Sequence, residues 1–217
     1  MTAGNLLRTS LDFCLAHWQL LIPLALAGML PITMLGYLLE GNAALNMLVG
    51  FATLQVVQGA LTMTALGLLS GRVFDPAGDV SRAINLCLPL IFVGITVGTL
   101  VAGGIFFLIF PGIYLIGALL LTTPLLMTEG GGLRAMMRSW DMTEGHRWQL
   151  FLAVSVAIVM MFVGSTLIYR FAQTLGVFDY VVVILDVIFG TLILTYSTAL
   201  SVTAFRSLAP RLRQSTA

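Results

Sequence analysis

The chain has 217 residues, of which 59% are hydrophobic and only 9% charged, with a formal net charge of +1. An average soluble domain carries roughly 25% charged residues, so too little polar surface exists here to cover a water-soluble globule. The near-zero charge balance also argues against a nucleic-acid partner held on a basic face. The composition points to an all-α fold: a polytopic membrane helical bundle forming one integral membrane domain over residues 1–217.

All ten cations are Arg and none is Lys. The two cysteines, Cys14 and Cys87, are too few for a disulfide framework and read as small apolar packers.

A helix crossing a ~30 Å hydrocarbon core needs about 20 apolar residues. Six such spans are predicted, at 19–39, 44–69, 84–102, 105–127, 149–169 and 181–205. Ahead of the first, Leu7, Leu11, Cys14 and Trp18 repeat at helical spacing, with Arg8 and Asp12 on another face, so a short amphipathic helix leads into the membrane. Ala25-Leu26-Ala27 has the look of a signal-peptidase site, but the apolar run continues past it. Span one is therefore expected to be retained.

Residues 84–127 hold no charge over 44 positions, enough for two helices and a tight turn. Both Gly103-Gly104 and Pro111-Gly112 could break the run. Turning at Pro111 would leave a fourth helix of about 15 residues, short for a bilayer. The turn is therefore expected at Gly103-Gly104, with Pro111 as a kink in span four.

Thr128 to Trp148 concentrates six charged residues: Glu129, Arg134, Arg138, Asp141, Glu144 and Arg147. Within it Leu133, Met136, Met137 and Trp140 fall on one helical side, and Arg134, Arg138 and Asp141 on the other. This pattern predicts a helix lying in the headgroup plane on the cytoplasmic side. Glu129-Gly130-Gly131-Gly132 supplies the flexible approach to it, and Gly145 a break before span five.

A weak repeat links these lead-in segments. Arg8 stands ten residues before Trp18-Gln19-Leu20, and Arg138 ten residues before Trp148-Gln149-Leu150; Arg82 stands ten before Phe92. Three helical hairpins, each fed by a short cytoplasmic-side helix, are expected.

With six spans, nine arginines fall on one side and only Arg170 on the other. The positive-inside rule then makes both termini cytoplasmic, and Trp18, Trp140 and Trp148 collect at the same inner boundary.

The run Pro111-Gly112-Ile113-Tyr114-Leu115, then Pro124, Glu129-Gly130-Gly131, Ala135, Arg138-Ser139-Trp140 and Thr143-Glu144-Gly145-His146-Arg147-Trp148 resembles a six-span bacterial family. Its members are YciC-type proteins and the membrane regions attached to some glycerophosphodiester phosphodiesterases. The motif-level match covers Phe110 to Gln149. It implies an inner-membrane location and no assigned reaction. In those phosphodiesterases the hydrolase chemistry belongs to a separate soluble domain, for which this chain has no room.

Arg134, Arg138, Trp140, Arg147 and Trp148 are the candidates for contact with lipid headgroups or a partner, each arginine being worth on the order of 1 kcal/mol near an anionic surface. The plainer reading is that they fix topology and pair locally, as Arg138 could with Asp141. Arg170 and Asp186 reach matching depths on spans five and six, ~31 Å and ~28 Å from the inner ends, and are expected to form a structural ion pair. Gln55, Gln58, Thr96, Thr99, Thr195 and Thr198 fall near the midplane. They could line a substrate path, or form interhelical hydrogen bonds of ~0.6 kcal/mol each. Gly94 and Gly98 have a spacing that permits close helix approach.

Cys14, His17, Cys87 and His146 match no compact zinc spacing, so no metal or other cofactor is expected. Neither HExxH nor GxSxG occurs, and no pair of intramembrane carboxylates is close enough to share a proton. The expectation is a non-catalytic inner-membrane protein acting through phospholipids, a membrane-protein partner or a second copy of itself, with no nucleic acid. The alternative is a small-solute or lipid transporter or channel.

Overall fold

A computed structural model describes residues 2–38, 42–107, 109–175 and 179–215. Among these residues the chain is helical with no strand: α1 (Ala3–Leu38), α2 (Ala43–Leu69), α3 (Pro76–Asn85), α4 (Cys87–Phe107), α5 (Ile109–Leu119), α6 (Thr122–Glu129), α7 (Gly132–Met142), α8 (Arg147–Leu175) and α9 (Asp179–Ser215). Five stretches are long and apolar enough to cross a membrane: Ala3–Met34, Ala43–Leu69, Cys87–Phe106, Arg147–Phe171 and Val181–Ala209. The protein is a polytopic helical membrane protein.

The region predicted as a single fourth span is broken. A shorter apolar stretch, Tyr114–Glu129, crosses the gap between α5 and α6 at Leu120 and Leu121. Pro124 explains the position: it has no N–H to give the carbonyl four residues back, at Leu120, and in a continuous helix its ring would strike that carbonyl. Here Pro124 is the third residue of α6, where an N–H has no helical partner in any case.

Pro111, expected as a kink inside span four, is likewise the third residue of a helix, α5, and the carbonyl four residues before it belongs to Phe107, the last residue of α4. The expected turn at Gly103-Gly104 is also corrected, because α4 runs through both glycines to Phe107 and α5 begins at Ile109. Residue 108 between them lies outside the described residues. Gly104 instead lets the two helices touch: a Cβ on it would sit 2.8 Å from the Gly112 Cα.

The three expected lead-in segments are present, each separated from its long helix by non-helical backbone. His17 (φ −121°, ψ 16°) kinks α1, Leu86 separates α3 from α4, and turns at 143–146 separate α7 from α8. The first does not stand apart from the bundle, however. Leu6, Ser10 and Phe13 are buried, and the Ser10 hydroxyl lies 2.7 Å from that of Thr203 on α9. The face expected to be apolar is divided: Leu7 and Cys14 pack against the core, whereas Leu11 and Trp18 remain exposed.

One hydrophobic core unites Leu6 of α1, Met63 of α2, Ala83 of α3, Leu90 of α4, Met127 of α6, Met136 of α7, Leu150 of α8 and Leu208 of α9. These residues neighbour Arg8, Arg82, Arg134, Arg138, Arg147 and Arg206, so the arginine-bearing ends gather at one end of the bundle. The other half is loosely filled: among the described residues none of 95–107, 158–171 or 181–190 is buried.

Candidate functional site

The segment with the densest charge folds into three parts. Gly130, Gly131 and Gly132 all adopt positive φ, turning the chain from α6 into α7 as only glycine does readily. On α7, Ala135, Met136, Ser139 and Met142 are buried against the bundle. Leu133, Met137 and Trp140 form a second, apolar stripe that stays exposed, at 53%, 69% and 39% of their surface. Arg134, Arg138 and Asp141 make a third, polar face, also exposed. The apolar side expected from sequence is therefore split, with Met136 inward and its neighbours outward.

α7 is held on the broken element. The hydroxyls of Ser139 and Thr143 donate to the Ala118 carbonyl at 2.8 and 3.2 Å. That carbonyl lies in the last turn of α5, where the break leaves it without a helical N–H donor.

Arg147 is not a surface group. It is 8% exposed, with its guanidinium carbon 4.1 Å from the Trp140 ring centroid and 4.8 Å from that of Tyr114. It donates to the Trp140 carbonyl at 2.8 Å and to the Tyr114 hydroxyl, while its Nε is buried without an acceptor. Its expected contact with headgroups is replaced by an aromatic and hydrogen-bonded socket between α5, α7 and α8. Trp148 stays half exposed, edge-on to Phe151.

Arg138 pairs with Glu129 at 2.6 Å across the glycine turn, and not with Asp141. Both partners are well exposed, so the pair is worth little. Arg134 has no ion-pair or hydrogen-bond partner among the described residues.

A second ion pair was not foreseen from sequence. Asp79 of α3 is 2% exposed, accepts from Arg72 and takes a 2.8 Å hydrogen bond from the Thr64 hydroxyl of α2. It fastens the amphipathic helix α3 under the end of α2. The available signal was an arginine within the Gly71-to-Pro76 loop and a carboxylate three residues after it, which looks like any solvated turn.

Arg170 and Asp186 are both exposed, and the ion pairs among the described residues are Arg8–Asp12, Arg72–Asp79 and Arg138–Glu129. The expected Arg170–Asp186 pair is not formed. Asp186 instead lines an open groove of about 820 Å³ between α1, α2, α8 and α9, with Tyr169 and Asn46.

The expected midplane cluster is also divided. Thr195 and Thr198 are buried on α9 and donate to their own helix at the Thr191 and Leu194 carbonyls. Thr96 does the same to Phe92, and Thr99 is exposed. Gln55 and Gln58 face elsewhere, into a cavity of about 370 Å³ between α2, α4 and the α5–α6 break. Gly94 makes room for Gln55, since a Cβ there would lie 2.7 Å from its amide, whereas Gly98 meets nothing within 4 Å. Among the described residues no three His, Cys, Asp or Glu side chains gather as a metal site.

No family model, curated protein or solved structure matches the chain. The resemblance at Phe110 to Gln149 rests on its motif alone.

Proposed function

We propose that the protein is a non-catalytic integral protein of the bacterial inner membrane, acting through anionic phospholipid headgroups or a membrane partner at its arginine-bearing end. The observation that carries this reading is the division of α7. An exposed apolar stripe, Leu133, Met137 and Trp140, lies beside an exposed polar face on which Arg134 is unpaired. A helix so divided suits the boundary layer, with the stripe toward acyl chains and the guanidinium toward phosphate. By the positive-inside rule that end, and with it both termini, is cytoplasmic. Membership of the YciC-type family would agree with this placement.

The test is lipid co-purification with phosphatidylglycerol and phosphatidylethanolamine quantified together. Arg134→Gln is expected to lower bound phosphatidylglycerol about fivefold, matching roughly 1 kcal/mol, and to leave phosphatidylethanolamine unchanged. An unchanged ratio after neutralisation at both Arg134 and Arg138 refutes headgroup recognition.

A second reading, transport of a small solute or lipid, is favoured by one feature: the fourth membrane element is broken beside the cavity that Gln55 and Gln58 line.

A further inference from the structure

The cavity at the helix break contains hydrogen-bonding groups that the protein itself does not use. Gln55, Gln58, Thr122 and Thr123 line it, and none of their side chains makes a hydrogen bond with a described residue. Thr122 is the most telling, because the residue is 2% exposed and its hydroxyl is buried with no partner. A buried hydroxyl left unpaired is costly, and nearly all such groups in folded proteins find a partner. Its place next to the break follows from Pro124, which ends α5 and sets Thr122 at the first position of α6.

Depth and lining describe what would fit. Gln55 lies ~18 Å from the start of α2 and ~21 Å from its end, at 1.5 Å per residue, which is the middle of the bilayer. The remaining wall is apolar, with Phe51, Leu90, Val97 and Leu119 among its residues, and no Asp, Glu, Arg or His contributes. A charged head there would lose its hydration without an opposite charge. The two amides offer acceptors as well as donors, and the two hydroxyls offer both. A head bearing hydroxyl groups satisfies them all, whereas one with carbonyls alone leaves the amide oxygens unpaired. About 370 Å³ holds such a head and the first part of a chain. The cavity is partly open and its lining includes the exposed Gly98, so the chain's remainder can continue outward.

We propose that this cavity is a binding site for an uncharged amphiphile with a hydroxyl-bearing head, held by Gln55, Gln58 and Thr122 at mid-membrane depth. The site is separate from the arginine face of α7 and stands whether or not that face recognises phospholipid.

The experiment is native mass spectrometry of the full chain in an alkyl dimethylamine oxide detergent, whose head bears no hydroxyl, titrated with 1-mono-oleoylglycerol and, separately, with oleoyl-lysophosphatidylglycerol. The wild-type chain is expected to take up one mono-oleoylglycerol saturably. Thr122→Val, which keeps the side chain's shape, and Gln55→Leu should each weaken that uptake about fivefold or more. Lysophosphatidylglycerol uptake should be insensitive to Thr122→Val. Absence of saturable uptake by the wild-type chain, uptake unchanged in Thr122→Val, or a lysophosphatidylglycerol adduct lost on that substitution would each overturn the proposal. Should Gln55→Leu fail to fold, Thr122→Val decides alone.

Discussion

The guanidinium of Arg147 lies against the rings of both Trp140 and Tyr114, 4.1 Å from the first centroid, and pairs with no carboxylate among the described residues. The cation is stabilised by two π faces, one backbone carbonyl and one phenol. Arginine does this better than lysine because its planar group stacks while its edge donates.

Arg147→Lys is therefore expected to destabilise the protein nearly as much as Arg147→Ala. Trp140→Leu, which keeps apolar volume, should cost about 1–2 kcal/mol. Thermal unfolding in a fixed detergent measures both. A lysine variant melting with the wild type would show that charge alone suffices there.

For the Arg72–Asp79 pair, Asp79→Asn is expected to loosen α3 from α2, because Thr64 and Arg72 lose an ionised acceptor. Thr64→Val should cost about 1.5–3 kcal/mol, as for a hydrogen bond to a charged group. The two substitutions should be strongly non-additive, since they remove the same contact. Full additivity in a double-mutant cycle would contradict the geometry.

Gly117 faces the backbone of Arg147, and a Cβ there would collide with that residue's carbonyl oxygen. Gly117→Ala should cost about 3 kcal/mol or more by forcing α5 and α8 apart. Gly103→Ala, where nothing lies within 4 Å, should be neutral or slightly stabilising in the helix. Equal melting points for the two variants would remove the case for a close α5–α8 crossing.

Since Arg170 and Asp186 do not pair, Asp186→Asn and Arg170→Gln should act independently. Their coupling energy is expected to stay within about 0.5 kcal/mol. A coupling of 1 kcal/mol or more would restore the pair that equal depth suggested.

Much of the architecture was legible because it is written locally. Apolar runs mark the long helices, and the arginines beside Leu6, Ala83, Met136 and Leu208 do converge at one end. What was illegible depends on register between helices. Pro111 and Pro124 carry the same local signal of a kink within one span, yet each stands in the first turn of a new helix, α5 and α6, just after a helix boundary. Gly104 looks like a turn residue but serves as a contact with Gly112. A two-face reading of α7 also fell short, since a boundary helix answers to core, lipid and water at once. Gln55 and Gln58 were identifiable by depth, whereas Thr122 was not, because its role follows from the break beside it.

The uneven filling of the bundle has a mechanical consequence. The side chains most completely enclosed, among them Leu121, Leu125, Leu126, Met127, Leu150 and Leu200, belong to the arginine half. Residues 158–171 of α8 are without a buried member among those described. Amide exchange should thus protect the arginine half long after the opposite half has opened. The surrounding acyl chains then act as the packing that this half lacks, so hydrocarbon thickness becomes a variable of the protein's own rigidity.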